Sequence, residues 1–345
     1  MACLKIITPG FMTTVQDKGR HGFQKQGIPV SGAMDTYALE LANLLVGNER
    51  STAGLEVTFS GPMIEFDANR AIAITGANLS PAINGRAVEL NQTIQVSAGD
   101  VLGFGALRNG ARAYIAVEGG IDVPLVMGSR STYLKAGIGG FNGRRLQVGD
   151  CLDLSIPDDR LPLGKRKLPA NMILQYKREI HVRVILGPED ARFTDESINT
   201  FLNNAYEFTN QSDRMGLRLT GPVLHHITGP DILSAGINFG AIQVAGDGQP
   251  IVLMADRQTT GGYTRIASVI SVDLPLMAQA KPGDTVRFHS IDISDAQRLL
   301  LERERQIKAL KNSYEQASAV LAEKVQNYRV TVNGREYEVS VMEIK

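Results

Sequence analysis

The sequence predicts a mainly β protein with short helices, built as two β units followed by a long helix and a β-hairpin. Three observations carry this. Glycine accounts for 35 of 345 residues and falls between short Val/Ile-rich runs, the pattern of turn-linked strands. The length is more than one ordinary core needs and less than three require, which favours two units. Finally, two strand signatures recur in the same order. LEVTFSGPMIEF (55–66) is echoed by LRLTGPVLHH (217–226), and SAGDVLGF (97–104) by KPGDTVRF (281–288), with QVGDCLDL (147–154) as a third strand-entry turn. Matched elements in one order predict two related β subdomains.

Taken in order, Leu4, Ile6 and Ile7 read as a strand stopped by Pro9-Gly10. The segment TTVQDKGRHGFQKQGIPVSGAMD (13–35) has too many breakers for a helix and is too long for a turn, as in a functional loop. A short helix follows, capped by Asp35, with Ala38, Leu41, Ala42 and Leu45 on one face and Gly47-Asn48 as the stop. Short β runs then continue to Ile156, closing a first unit at 1–156. Residues 157–172, with prolines, basic residues and little apolar content, read as a linker. The second unit, 173–291, opens on EIHVRVIL, holds a helix capped by Thr194 or Asp195, and ends on DTVRFHSI.

Ser294 caps the predicted long helix, 292–326. Leu300, Ile307, Tyr314 and Leu321 repeat at seven beside Ala296, Arg303, Leu310 and Ala317, where Arg303 interrupts the second seam. Such a stripe packs either on a partner or on the chain's own barrel. In the tail, 327–345, Val330 and Val332 face Tyr337, Val339 and Val341 across Asn333-Gly334, a strong hairpin signal. An isolated hairpin is marginal in water, so this one calls for a sheet edge or another chain.

The composition excludes several functions. Lys+Arg and Asp+Glu number 36 each, so no basic field exists for nucleic acid. No run of 18 apolar residues suggests a membrane span, and the N-terminus lacks signal-peptide features, so a reducing cytoplasm is expected. Cys3 and Cys151 lie far apart without metal or redox spacing; neither a disulfide nor a zinc site is expected. The five histidines show no ligand spacing either, and no metal is expected. GxxxxGK[ST] is absent and GIGGFNG breaks the dinucleotide spacing, which argues against nucleotide binding. No GxSxG elbow is present.

Chemistry concentrates in three polar clusters. The long loop offers Gln16, Asp17, Arg20, Ser31 and Asp35, where an Arg can grip a carboxylate by two parallel bonds; a plain Asp-Arg brace is the structural alternative. Asp213-Arg214 precedes a strand. The densest cluster follows the strand ending at Ala255: Asp256, Arg257, Gln258, Thr260 and Tyr263 could surround one small polar substrate, or form a solvated hairpin loop.

Together, TTVQDKGRHGF, GIPVSGAMD, LEVTFSGP, RAYIAVEGGIDVP, GSRSTYLKAGIGGFNGR, SDRMGLRLTGP and GAIQVAGDGQPIVLMADRQTTGGYTRIASVI resemble the biotin-dependent carboxyltransferase family, which includes allophanate hydrolase subunit 2-like proteins and 5-oxoprolinase C subunits. The resemblance implies two cyclophilin-like β-barrel subdomains. It also implies a subunit 1-like (B) partner, an A subunit and a biotin carrier domain in a hetero-oligomer, with no nucleic acid or membrane partner. ATP would be used by the complex and not by this chain. Carboxybiotin would come from a separate carrier, none being held covalently here.

Carried over by motif, the site comprises Asp17, Arg20, Arg214, Asp256, Arg257, Gln258 and Tyr263 as catalytic groups. Gln16, Ser31, Asp35, Arg130, Asp213 and Thr260 are the substrate-binding groups. Arg20, Arg214 and Arg257 would hold an anion, Asp17 and Asp256 would orient or take a proton, and Gln258 and Tyr263 would polarise a carbonyl. The implied reaction acts on a small amide, lactam or urea-like molecule, 5-oxoproline opening to glutamate foremost. A non-catalytic antagonist of a kinase inhibitor and the acceptor side of a biotin-dependent carboxylase remain as alternatives. The tail resembles the opening strands of a biotinyl carrier domain, but terminal Lys345 lacks the surroundings of a biotin acceptor.

Overall fold

The computed structural model describes residues 2–156, 163–323, 325–332 and 335–342. Strands outweigh helices, 36% to 20%, in agreement with the mainly β expectation.

The first unit consists of two sheets. One orders its strands Cys151–Asp153, Cys3–Thr8, Met63–Phe66, Val101–Phe104, Pro81–Ile83 and Arg86–Ala87. The other runs Met12–Gln16, Gly54–Thr58, Asn109–Val117, Arg70–Asn78 and Thr93–Val96. Side-chain alternation decides how the second sheet is covered. Ile72, Ile74, Ile115 and Val117 point into the core with Leu4, Leu55, Phe66 and Leu102. Their neighbours Ala71, Ala73 and Ala116 face helix α1, Thr36–Leu45, and pack on its Leu41, Ala42 and Leu45. Small alanines let the helix approach the sheet closely. The Asp35 side chain caps α1 by accepting from Ala38 N, as the sequence predicted.

The second unit is a closed barrel of seven strands, in the order Glu179–Leu186, Arg265–Val269, Ala241–Val244, Pro250–Leu253, Gly216–Thr220, Ala205–Phe208 and Thr285–Ser290. Val182, Phe208, Leu217, Ile242, Val252 and Phe288 fill it. Helix α2, Asp195–Asn203, closes one side by stacking Phe201 on Phe288 at 4.5 Å; Thr194 is its cap. A short helix α3, Leu274–Ala278, lies on the side facing the first unit. Met34, from the first unit's long loop, is buried in this second core. The two units therefore share a seam.

The three Gly-Asp echoes adopt one turn. Asp100, Asp150 and Asp284 each accept a hydrogen bond from the backbone N–H three residues earlier, at 2.8, 2.7 and 3.2 Å. The intervening Gly99, Gly149 and Gly283 sit at φ of +89°, +86° and +84°, left-handed values that glycine takes without strain.

One expectation is overturned. Cys3 and Cys151 form a disulfide, with Cα atoms 5.8 Å apart. The unit's first strand pairs with its last, Leu4 opposite Leu152, so topology brings together residues 148 apart in sequence.

Helix α4, Ile293–Glu323, lies on its own chain, and it begins before Ser294, which sits inside the first turn and is not its cap. Ile307 and Leu310 are buried with Tyr37, Leu41 and Leu168, and Arg166 and Tyr314 stack at 5.1 Å. Arg303, which interrupts the stripe in sequence, covers the Tyr37 ring at 4.6 Å and donates to the Val272 carbonyl at 2.6 Å. Within the predicted linker, Arg166 donates to the Leu44 carbonyl and to Ser318 Oγ, tying that segment to α1 and α4. The C-terminal strands Val325–Val332 and Arg335–Met342 pair antiparallel; the Asn333-Gly334 turn lies outside the described residues. Among the described residues, no helix is long and apolar enough to cross a membrane.

Candidate active site

The seam is organised by ionisable groups that the strands bury. Glu56 lies in Gly54–Thr58, a strand buried along its whole length. Its Oε2 accepts from Met34 N and from Tyr114 Oη, both at 2.8 Å. Its Oε1 is paired with Arg214 Nη1 of the second unit. Arg214 stands just before strand Gly216–Thr220, in a turn that Asp213 fixes by accepting from Met215 N and Gly216 N at 2.7 and 3.1 Å. Its Nε donates to Asp256 Oδ2 at 2.9 Å, and its Nη2 to the Gly32 carbonyl at 2.5 Å. Burial alone would lower the Arg214 pKa, but the charges of Asp256 and Glu56 outweigh it and hold the guanidinium above its ordinary value.

Asp256 also draws in the long loop, accepting from Ser31 Oγ at 2.6 Å. The Thr132 carbonyl lies within hydrogen-bond reach of Ser31 Oγ, 3.0 Å, and accepts from Gln16 Nε2, 3.1 Å. Beside it, Asp17 accepts from Gly19 N, Ser129 Oγ and Arg130 N, while Arg20 Nη2 donates to the Ser131 carbonyl. Burial lowers the Arg20 pKa against the pull of Asp17 and Asp256, and its Nε and Nη1 have no protein partner. Gln16, Ser31, Asp256 and Arg214 thus form one hydrogen-bonded set through the Thr132 carbonyl, and Asp17 and Arg20 a second through Ser129 and Ser131 next to it in the chain.

A cleft of about 300 Å³ opens along this seam. Phe11, Phe59, Leu134, Phe208 and Leu217 line its apolar sides, Arg112, Arg214 and Asp256 its charged part, and Lys135, Asp213 and Lys281 add further polar groups. Arg112 is 7% exposed, and its Nε has no partner; burial lowers its pKa, opposed by Glu56. A buried donor left open beside a cleft requires an acceptor, and bound ligand is one source of it. The arrangement can hold a small planar anion or polarise a carbonyl.

The remaining candidates lie elsewhere. Arg257 donates to the Ile237 and Met254 carbonyls, both at 3.2 Å, over the Phe239 ring; burial lowers its pKa to about 10. Gln258 reaches Gln243 Oε1 at 3.4 Å. Thr260 and Tyr263 belong to a short sheet formed with Asp231–Gly236. None of these four lines the cleft, and neither do Gln16, Asp17, Arg20 or Ser31; of the predicted residues its lining takes Asp213, Arg214 and Asp256. Arg130 pairs with Asp122 at 2.8 Å. Asp35 is fully buried under the seam, accepting from Gln279 Nε2 at 2.9 Å, and burial raises its pKa to about 6 despite the bonds from Gln279 and Ala38 N.

Sequence reasoning passed over Glu56, Arg112, Tyr114 and Gln279. A usable signal was present for two of them, because Glu56 and Arg112 are charges inside otherwise apolar strand runs, where they must be paired. Gln279 carried no such mark.

Fold and site together define a β protein of two subdomains joined over a cleft with arginines in its lining. The profile of the carboxyltransferase domain, subdomains A and B, matches residues 26–290. The chain is 41% identical to the 5-oxoprolinase C subunit of Escherichia coli over 310 residues, 89% of this chain and 97% of that protein. It is 35% identical to urea amidolyase of Lachancea kluyveri, spanning only 18% of that longer protein. The crystal structure of the K. lactis urea amidolyase superposes with a TM-score of 0.84 at 32% identity, covering 89% of this chain and 20% of that one. The chain belongs to the carboxyltransferase domain family.

Two outcomes follow from the buried charges. Arg214→Met leaves Glu56 and Asp256 without their counter-charge and lowers unfolding stability by about 3–5 kcal/mol in denaturant titration; a loss within error would mean the pair is solvated. For Asp35, the folded chain binds a proton more tightly than the unfolded chain between about pH 4 and about pH 6. Its contribution is therefore greatest below pH 4 and declines as pH rises through 6. The stability of the native chain minus that of Asp35→Asn should fall by about 2 kcal/mol between pH 4 and pH 7. A flat difference would place this carboxyl in the ordinary range.

Proposed function

We propose that this chain is the carboxyltransferase-family subunit of a multi-subunit enzyme acting on a small amide, lactam or urea-like substrate, and that the enzyme is an ATP-dependent 5-oxoprolinase. The observation that carries the chemistry is Arg112, whose buried Nε has no protein partner, in the lining of a cleft with phenylalanine on its sides. A planar lactam ring bearing a carboxylate suits it. The ring packs on Phe11 and Phe59, the Arg112 guanidinium holds the anion, and exclusion of water strengthens both contacts. The likeness to a free-standing 5-oxoprolinase subunit along 97% of its length favours a separate subunit that works with B-type and A partners.

In this reading Asp256 orients Arg214 and Ser31. The same donor set fits carboxybiotin, whose ureido ring and carboxylate repeat the pairing of a planar ring with an anion. Arg112 would hold it in place of the lactam if the enzyme is a carboxylase, where it would supply an activated carboxyl group. ATP would be consumed by another subunit, since no phosphate-loop motif occurs in this sequence.

The test is co-expression with the A-type and B-type partners and measurement of glutamate formed from 5-oxoproline and ATP. The native complex should turn over, and Arg112→Met should lower kcat/KM by about 10²-fold or more while the complex still co-purifies. Unchanged turnover in that variant would remove the cleft from the chemistry. A native complex inactive on 5-oxoproline would reject the substrate assignment.

A further inference from the structure

We propose that Gln279 is a positioning residue that sets Arg112 in the cleft, an inference that rests on the reading of that cleft as the substrate site. Strand Asn109–Val117 departs from regular pairing with Arg70–Asn78: Asn109 lies opposite Asn78, yet Ala113 lies opposite Gly76. Two extra residues on one strand leave Ala111 N and the N–H and C=O of Arg112 without a partner on strand Arg70–Asn78, although Arg112 lies opposite Thr58 on its other side.

Gln279, following α3 of the second unit, fills that gap. Its Oε1 accepts from Ala111 N at 3.0 Å and Arg112 N at 2.9 Å, and its Nε2 donates to the Arg112 carbonyl at 2.9 Å and to Asp35 Oδ2 at 2.9 Å. Both amide protons and both acceptor positions are used, so the carboxamide serves as a substitute peptide group. The backbone makes room for it. A Cβ on Gly110 would meet Gln279 Oε1 at 2.9 Å, and one on Gly76 would meet Nε2 at 3.2 Å.

The guanidinium of Arg112 is held by the same segment, Nη1 donating to the Ala278 carbonyl. Two consecutive residues of the second unit therefore fix both the backbone and the side-chain end of Arg112. Small errors in the placement of such a group are costly to turnover.

The experiment has two arms. In the full chain alone, hydrogen exchange over 109–117 should lose protection at Ala111 and Arg112 in Gln279→Met, while Arg112→Met should leave protection intact. In the assembled complex with 5-oxoproline and ATP, Gln279→Met should lower kcat/KM by about 10²-fold. The same change made on top of Arg112→Met should cost no more than roughly threefold further, because coupled residues do not add. Unchanged exchange in Gln279→Met, or full additivity with Arg112→Met, would overturn the proposal. If Arg112→Met itself turns over normally, the cleft reading fails; if the native complex does not act on 5-oxoproline, the substrate assignment fails, and hydrogen exchange alone then decides whether the clamp exists.

Discussion

The architecture depends on one buried cation. A guanidinium taken out of water is tolerated only with counter-charge and saturated hydrogen bonding, and Arg214 obtains these from three separate segments: Glu56 of the first unit, Asp256 of the second, and the Gly32 carbonyl of the long loop. No single unit satisfies it. The barrel end, the two-sheet unit and the loop must therefore meet in one geometry, and the cleft is the space that this meeting leaves. Met34, buried in the barrel's core from its place in the first unit's loop, fixes the same junction by apolar contact.

Much of the fold was legible because its signals are local. The Gly-Asp step repeats in three turns, with a left-handed glycine and a self-capping aspartate in each, and Asp35 caps helix α1 where the sequence places it. The disulfide was hidden because its two cysteines acquire meaning only when the first and last strands pair. Long-range pairing leaves no trace in spacing. For α4 the heptad stripe was visible but its target was not. Arg303 looked like a defect in the sequence, yet it is placed over Tyr37 with a carbonyl to receive its proton.

The site was legible as residue types and less so as geometry. Gln16, Asp17, Arg20, Ser31, Arg214 and Asp256 do converge. Arg257 and Gln258 follow Asp256 directly in sequence, but the chain turns there and carries them toward Ile237 and Gln243, away from the cleft. Adjacent polar residues at a strand end diverge as readily as they gather. Gln279 shows the opposite failure, since a neutral amide after a short helix gains its role only from the irregular strand of the other unit that it completes.

The claim underlying this account is that the seam cleft receives the substrate. The most direct measurement is a crystal structure of the assembled complex soaked with 5-oxoproline. Density for the ring against Phe11 and Phe59, with its carboxylate on Arg112, is the predicted result. Ligand density beside Arg257 and Tyr263, with the cleft empty, would contradict it.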